Sequence, residues 1–117
     1  MPDFRTKEQL MAQEAYERVS NHININDESF DFDKYSSFAL SFPSLIHSCG
    51  LVQALAFAQA KDKNGYINDL QAVFNKIDSV RDLPARSRDA DVIEYIRITR
   101  HAISAASWIK RYCQAND

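Results

Sequence analysis

The chain has 117 residues, of which 45% are hydrophobic and 26% are charged, and its formal net charge is −2. This length is enough for one domain with its own buried core, and the slightly negative charge excludes a protein that is basic over its whole surface. With only 2 Gly and 3 Pro against 14 Ala, the composition favours helices over sheets.

The first predicted helix begins near Lys7, because Thr6 and Gln9 have the spacing of a capping box. Its inward face is predicted to hold Leu10, Met11, Ala15, Tyr16 and Val19. A polar loop is predicted over residues 20–28, rich in Asn and ending in acidic residues.

A second helix is predicted from about Asp31, and Pro43 is suited to the first turn of a further helical segment. Residues 44–60 are apolar on nearly all sides, which predicts a central, buried helix. Gly50 either breaks this helix or allows another helix to approach closely, and the sequence leaves both alternatives open.

A hydrophilic turn is predicted over residues 61–65, with Asn64-Gly65 as the break, followed by an amphipathic helix over residues 66–77. Residues 78–87 are predicted to connect it to the end of the chain, and Ser87 or Asp89 is a candidate cap for the final helix or for a short helix before it. The sequence therefore predicts an all-α fold, with a compact bundle of five to six helices in a single domain over residues 1–117.

The final predicted helix is basic on one side, because no acidic residue occurs between Glu94 and Asp117. At about 100° per residue, one sector of the helix contains Arg97, Arg100, His101, Ser104, Trp108 and Arg111. The other side contains Ile98, Ala102, Ala105, Ala106, Ile109, Tyr112 and Cys113. This pattern predicts a cationic ridge that can hold a polyanion; the alternative is an ordinary solvated helix face.

Trp108 can stack on a nucleobase for about 1–3 kcal/mol, or it can pack against protein. Lys110 points away from the basic sector and is a candidate for a protein contact. Lys7 and Lys61 extend the basic surface only if their helices lie beside the last one.

No catalytic residue, metal ligand or cofactor is predicted. The spacing of His22, His47 and His101 supports no acid–base pair, and His47 with Cys49 does not complete a tetrahedral metal site. The expected arrangement is a packed Cys49 beside a hydrogen-bonded His47. Without a CxxC motif or an apolar leader, Cys49 and Cys113 are expected to be reduced thiols in a cytoplasmic protein.

Three groups of residues, in order along the chain, resemble one known family. The central group is the segment 42–46, FPSLI, followed by 50–57, GLVQALAF. The outer groups are Glu8-Gln9, Ala15-Tyr16 and Val19 near the start, and Tyr95, Arg97, Thr99 and Trp108-Ile109-Lys110-Arg111 near the end. Together they resemble the small subunit of the Cmr, or type III-B, CRISPR effector complex, which serves in antiviral defence.

The resemblance implies a non-nuclease helical bundle that stacks in several copies as a minor filament, beside a filament of backbone subunits and a large polymerase-like subunit. It also implies that the protein helps to hold a target RNA paired with the guide RNA. On this basis Arg97, Arg100, Lys110 and Arg111 are expected to contact phosphates or partners, as are, with weaker support, Lys7 and Lys61. The segment His47-Ser48-Cys49 and His101 depart from the family pattern.

Two main hypotheses follow. In the first, the chain is a non-catalytic, RNA-binding subunit of a CRISPR ribonucleoprotein. In the second, it is a protein-only helical scaffold or adaptor whose basic stripe binds acidic protein surfaces. A small ribonuclease that uses His47 or His101 is a third and more distant interpretation.

Overall fold

The structure is a computed structural model that describes residues 5–24 and 30–116. Within these ranges the chain forms six α-helices and no strand, so the predicted all-α bundle of five to six helices is confirmed. The helices are α1 (Lys7–Asn24), α2 (Phe32–Cys49), α3 (Leu51–Ala60), α4 (Asn64–Phe74), α5 (Leu83–Asp89) and α6 (Val92–Gln114).

The capping box predicted for α1 is present. The backbone N–H of Gln9 donates to Oγ1 of Thr6 at 3.1 Å, and the N–H of Thr6 donates to Oε1 of Gln9 at 2.8 Å. Met11, Ala15 and Val19 are buried as predicted.

Two predictions for α1 are wrong. Tyr16 is 52% exposed, because it contacts only the edge of Tyr112 at the surface. The helix also continues to Asn24 through the predicted loop, because His22 in its last turn has a tertiary partner in Asp69. The rest of that predicted loop, residues 25–28, lies outside the described residues.

α2 begins as expected, with the side chain of Asp31 accepting a hydrogen bond from the N–H of Lys34. The new segment predicted at Pro43 is wrong, because α2 runs through the proline without a break. Pro43 has no N–H to donate, but it is buried next to the fully buried Phe42. Burial of these two side chains therefore offsets the hydrogen bond that the proline removes.

Gly50 separates α2 from α3, and its φ of 86° and ψ of 160° are accessible almost only to glycine. It is also a point of close approach, since a Cβ there would lie 3.2 Å from the hydroxyl of Tyr95. That hydroxyl accepts a hydrogen bond from the N–H of Val52 at 3.1 Å. Gly50 therefore breaks the helix, as the first alternative has it, and the group that approaches it closely is the side chain of Tyr95 from α6, not another helix backbone.

The prediction that residues 44–60 form one central, buried helix is wrong. His47 and Cys49 are exposed, and Val52 and Phe57 are 37% and 43% exposed. The apolar run is divided between two helices that change direction at Gly50, so only one face of each helix meets the core.

The next turn occupies residues 61–63, and Asn64 and Gly65 already belong to α4. The predicted connector contains the short helix α5, which the side chain of Asp82 caps by accepting from the N–H of Ala85. Asp91 caps α6 in the same way, through the N–H of Glu94.

Ser87 and Asp89 are therefore not the caps that the sequence predicts. Both residues lie inside α5, whereas a capping residue needs a backbone outside the helical region. The hydroxyl of Ser87 instead donates to the carbonyl of Pro84 at 2.7 Å.

α6 packs against α1, α2 and α4 and supplies much of the core. Its predicted apolar face is confirmed, with six fully buried residues: Ile98, Ala102, Ala105, Ala106, Ile109 and Cys113. Tyr112, placed on the same face by the sequence, is only partly buried. Cys113 is buried and Cys49 is exposed, and neither is in a disulfide. In the described ranges, no helix is both long enough and apolar enough to cross a membrane.

Candidate nucleic-acid interface on α6

The basic sector of α6 faces away from the core. We call the basic and aromatic side chains of this sector the α6 ridge: Arg97, Arg100, His101, Trp108 and Arg111. The three arginines are exposed, whereas His101 and Trp108 are half-buried. Lys110 lies beside the ridge and is also half-buried. The ridge is rigidly placed, because the opposite face of the same helix is buried.

Two residues of the ridge, Arg97 and His101, contact acids of their own chain. Nδ1 of His101 lies 2.8 Å from Oδ2 of Asp78, and Nε of Arg97 donates to the same oxygen at 3.1 Å. Arg97 also lies 3.8 Å from the carboxylate of Glu94. Arg97 and His101 are therefore tied to acids of their own chain, unlike the free cations that the sequence suggests.

The carboxylate of Asp78 stays ionised in this arrangement. Burial raises its pKa, but hydrogen bonds from the N–H of Val80, from His101 and from Arg97 more than offset that effect. The net result is a pKa of Asp78 below its ordinary value. A negative charge is therefore present near neutral pH to balance Arg97.

A second ion pair extends the network toward α5. Arg86 donates from Nε and Nη2 to the two oxygens of Glu94, at 2.6 and 2.9 Å. These hydrogen bonds raise the pKa of Arg86. Glu94 therefore joins Arg86 of α5 to Arg97 of α6.

The other cations of α6 have a different environment. Arg100, Lys110 and Arg111 form no ion pair with any residue that the structure describes. A groove of about 320 Å³ lies here between α1 and α6. It is lined by Glu8, Met11, Ile103, Ser104, Ser107, Trp108 and Arg111.

Trp108 is held in this groove by its neighbour Tyr112, with ring centroids 6.1 Å apart and an angle of 24° between the planes. The indole of Trp108 therefore packs against protein, and it also lines a groove in which a nucleobase could stack on it. Glu8 is an acidic residue in the same groove and disfavours a phosphate at that end.

The two outlying lysines lie in different places. Lys7 is exposed in the first turn of α1, next to Glu8 in the chain, and is not one of the residues that line the groove between α1 and α6. Lys61 follows α3, and its Nζ lies 5.7 Å from the centre of the Phe57 ring. No described contact links Lys61 to the α6 ridge.

The three histidines are in separate environments. His22 contacts Asp69, His101 contacts Asp78, and His47 is exposed. The expectation of a packed Cys49 beside a hydrogen-bonded His47 is wrong, because both side chains face solvent at the end of α2. Among the described residues, no three His, Cys, Asp or Glu side chains lie close enough to hold a metal ion.

The sequence patterns do not predict the buried polar cluster around Asp69. This residue is 4% exposed, and Oδ2 of its carboxylate lies 2.5 Å from the hydroxyl of Tyr35 and 2.6 Å from Nε2 of His22. Nη1 of Arg18 lies 3.6 Å from Oδ1. The cluster joins α1, α2 and α4, so its role is to fix the bundle.

Comparison with known proteins identifies the family. The model of the family described as "CRISPR-associated protein (Cas_Cmr5)" matches residues 7–116. The "CRISPR system Cmr subunit Cmr5" of Thermus thermophilus is 37% identical over 115 residues, covering 96% of each chain. A crystal structure of a CRISPR-associated Cmr5 family protein from the same organism is similar at a TM-score of 0.80 and 36% identity, covering 95% of this chain and 97% of that one. With its helical bundle and its basic last helix, the chain therefore belongs to the Cmr5 family, the small subunits of the Cmr (type III-B) CRISPR complex.

Proposed function

We propose that this Cmr subunit is non-catalytic and holds the paired guide and target RNAs through the unpaired cations of α6, Arg100, Lys110 and Arg111. Several copies, side by side, would present that surface along the RNA duplex in the cytoplasm. Sequence selection would come from base pairing between the two RNAs, while the protein contacts their phosphates.

One observation carries this proposal. Arg100 and Arg111 are exposed, lack an acidic partner among the described residues, and project from a helix whose other face is buried. Because packing already fixes the helix backbone, only the arginine side chains lose conformational freedom when they neutralise a phosphate. Lys110 adds a third positive charge beside them.

The proposal gives different roles to different parts of the ridge. Arg100, Lys110 and Arg111 are assigned to RNA, with Trp108 as a stacking partner and the exposed Lys7 as a weaker candidate. Arg97 and His101 are assigned to the internal network around Asp78, which positions α6. Lys61 is not part of this surface.

A second function is favoured by a separate observation at the start of α6. Val92, Ile93 and Ile96 are 74%, 82% and 48% exposed. Adjacent exposed aliphatic side chains of this kind are typical of protein–protein contacts. We therefore also propose that this end of α6 binds another protein of the complex: a backbone subunit, the large polymerase-like subunit or a second copy of this chain.

The RNA function is tested in the assembled complex with a target RNA that carries photoreactive 4-thiouridine. The double variant Arg100→Glu/Arg111→Glu is expected to keep its place in the complex and to lose crosslinks between this subunit and RNA. Arg81→Glu/Arg88→Glu, the same change of charge at two exposed positions outside α6, is the matched control and is expected to crosslink normally.

Two results would contradict the RNA assignment. One is unchanged crosslinking in the double variant. The other is a subunit that leaves the complex while its residual crosslinks are normal, which would favour the scaffold hypothesis. The protein-contact proposal is tested separately with Ile93→Asp, which is expected to reduce co-purification of the subunit, and it fails if co-purification is unchanged.

A further inference from the structure

A second surface that combines aromatic rings with cations lies away from the α6 ridge. It is a groove of about 440 Å³, formed where α2 lies beside α3 and the turn before α4. Its lining residues are Asp33, Lys34, Ser37, Phe38, Ser41, Phe57 and Lys63. This volume is within the range of small-ligand sites.

Two phenylalanine rings form the apolar wall of the groove. The rings of Phe38 and Phe57 are parallel within 3°, and their centroids are 6.3 Å apart. Phe38 is fixed from behind by edge contact with Tyr66, at 5.2 Å and 75°, and by Phe42 at 5.4 Å. Phe57 is 43% exposed. One ring is therefore held by the core while the other offers a flat surface to a ligand.

Lysines surround this wall. Nζ of Lys63 lies 5.5 Å from the centre of the Phe38 ring, and Nζ of Lys61 lies 5.7 Å from that of Phe57. Lys34 also lines the groove. None of the three lysines forms an ion pair with a described residue. Their charges are thus available to an anion.

We propose that this groove binds one unpaired nucleotide of a single-stranded nucleic acid, with its base on Phe57 and its phosphate between Lys61 and Lys63. A flat apolar ring can stack on a planar ligand, and lysines without an ion pair can bind a negatively charged group. A nucleotide has both properties in one molecule. In the bound state the ammonium groups move from the ring faces to the phosphate, and the base takes their place.

The remaining lining residues are consistent with this orientation. Asp33 repels a phosphate from the α2 side of the groove. The turn after α3 contains one acid, Asp62, whose carboxylate accepts from Nδ2 of Asn64 at 3.0 Å. Two lysines, Lys61 and Lys63, flank Asp62 and leave that turn with a net positive charge.

The hydroxyls of Ser37 and Ser41 can bond a sugar or a base edge, and the hydroxyl of Ser41 donates to the carbonyl of Phe38 at 3.1 Å in the free protein. This inference does not depend on the α6 ridge, because it requires an unpaired base and a different surface.

The test is an NMR titration of the full chain with the ribonucleotide tetramer rU4, and with an abasic ribose-phosphate tetramer of equal charge. Saturable shifts are expected for the amides of Ser37, Phe38, Phe57 and Lys63 with rU4, and at least tenfold weaker binding for the abasic tetramer. Phe57→Leu is expected to weaken rU4 binding about 5- to 150-fold, the range measured for one stacked base, while Phe57→Tyr retains it.

Two control variants separate this site from other surfaces. Ile93→Ala removes an exposed apolar side chain on α6 and is expected to leave rU4 affinity unchanged. Arg100→Glu/Arg111→Glu is expected to leave the groove shifts unchanged, even if duplex binding fails.

The proposal is overturned by any of three results: no shifts around the groove, equal affinity for the abasic tetramer, or full rU4 affinity in a folded Phe57→Leu protein.

Discussion

The imidazole of His101 contacts the carboxylate of Asp78 at 2.8 Å and thereby joins the middle of α6 to the segment between α4 and α5. The same carboxylate accepts from the N–H of Val80 at 3.0 Å. Gln71 holds the segment from the other side, with Nε2 donating to the carbonyl of Val80 and Oε1 accepting from the N–H of Leu83. Asp78 is therefore the point at which a polar loop is fixed against the core helix.

Removing the charge of Asp78 should destabilise the fold. Asp78→Asn loses charge-assisted hydrogen bonds at a side chain that is 3% exposed, and we expect a cost of about 1–3 kcal/mol. Arg97, which is 47% exposed, accounts for little of this because solvent screens its charge. In thermal unfolding the midpoint should fall by about 4 °C for each kcal/mol. The exposed control Asp89→Asn should change it by less than about 2 °C, and equal effects of the two variants would contradict the role of Asp78.

The carboxylate of Asp78 should also make the free energy of unfolding depend on pH in the acidic range. Because the folded pKa of Asp78 is lowered from 3.8, its contribution is fully present above the unfolded pKa and is lost as the pH falls through the lower folded value. Wild-type stability should therefore decline below about pH 4 more steeply than that of Asp78→Asn. Urea unfolding between about pH 2.5 and 6, a range chosen around the ordinary pKa of Asp, measures this difference. Parallel curves for the two proteins would show that Asp78 is not linked to folding.

Two buried tyrosines offer a matched pair. The hydroxyl of Tyr35 donates to Asp69, whereas that of Tyr66 is buried without a hydrogen-bond partner among the described residues. Burial raises the pKa of Tyr66 well above its ordinary value, so its phenol is neutral. Tyr35→Phe should cost about 1–2 kcal/mol, and Tyr66→Phe should be neutral or slightly stabilising. Urea unfolding at about pH 7 distinguishes the two, and a larger loss for Tyr66→Phe would reveal a partner for its hydroxyl.

The two glycines should respond to alanine in opposite directions. Gly50→Ala places a Cβ 3.2 Å from the Tyr95 hydroxyl, in a backbone region that is almost restricted to glycine, and should cost about 1–3 kcal/mol. Gly65→Ala meets no atom within 4 Å in the first turn of α4, so it should stabilise the protein by up to about 1 kcal/mol. Thermal unfolding of the two variants measures both effects. A Gly50→Ala protein as stable as wild type would mean that this turn adapts easily.

Short-range patterns in the sequence predicted much of the fold, because their causes lie within a few residues. Thr6 and Gln9 are three residues apart, and their mutual hydrogen bonds need no tertiary context. The apolar face of α6 follows from helical periodicity and is buried as predicted. Pro43 was mispredicted because its local preference was outweighed by burial, which only the packed bundle provides.

The candidate site was less predictable, because its charges are balanced over long separations. Arg97 and His101 lie 19 and 23 residues from Asp78 in the chain, so the absence of acids between Glu94 and Asp117 does not reveal their partner. The groove at Phe38 and Phe57 was missed for a similar reason. These rings are on different helices, and the apolar run that contains Phe57 suggested full burial.

The division of the α6 ridge into paired and free cations predicts the salt response of the isolated chain. With Arg100, Lys110 and Arg111 as its phosphate contacts, binding to a short RNA duplex should be weak, and the slope of log K against log salt should be no steeper than about −2.7. Arg111→Gln should reduce that slope by about 0.9, since it removes one contact. Arg97→Gln should leave the slope unchanged, because the charge of Arg97 is already balanced by Asp78, and should change thermal stability little, because solvent screens this exposed pair. Fluorescence anisotropy between about 20 and 200 mM salt, the range over which such contacts weaken measurably, provides the comparison. A slope that changes equally in both variants would mean that Arg97 leaves Asp78 to bind RNA, and the ridge would then act as one continuous surface.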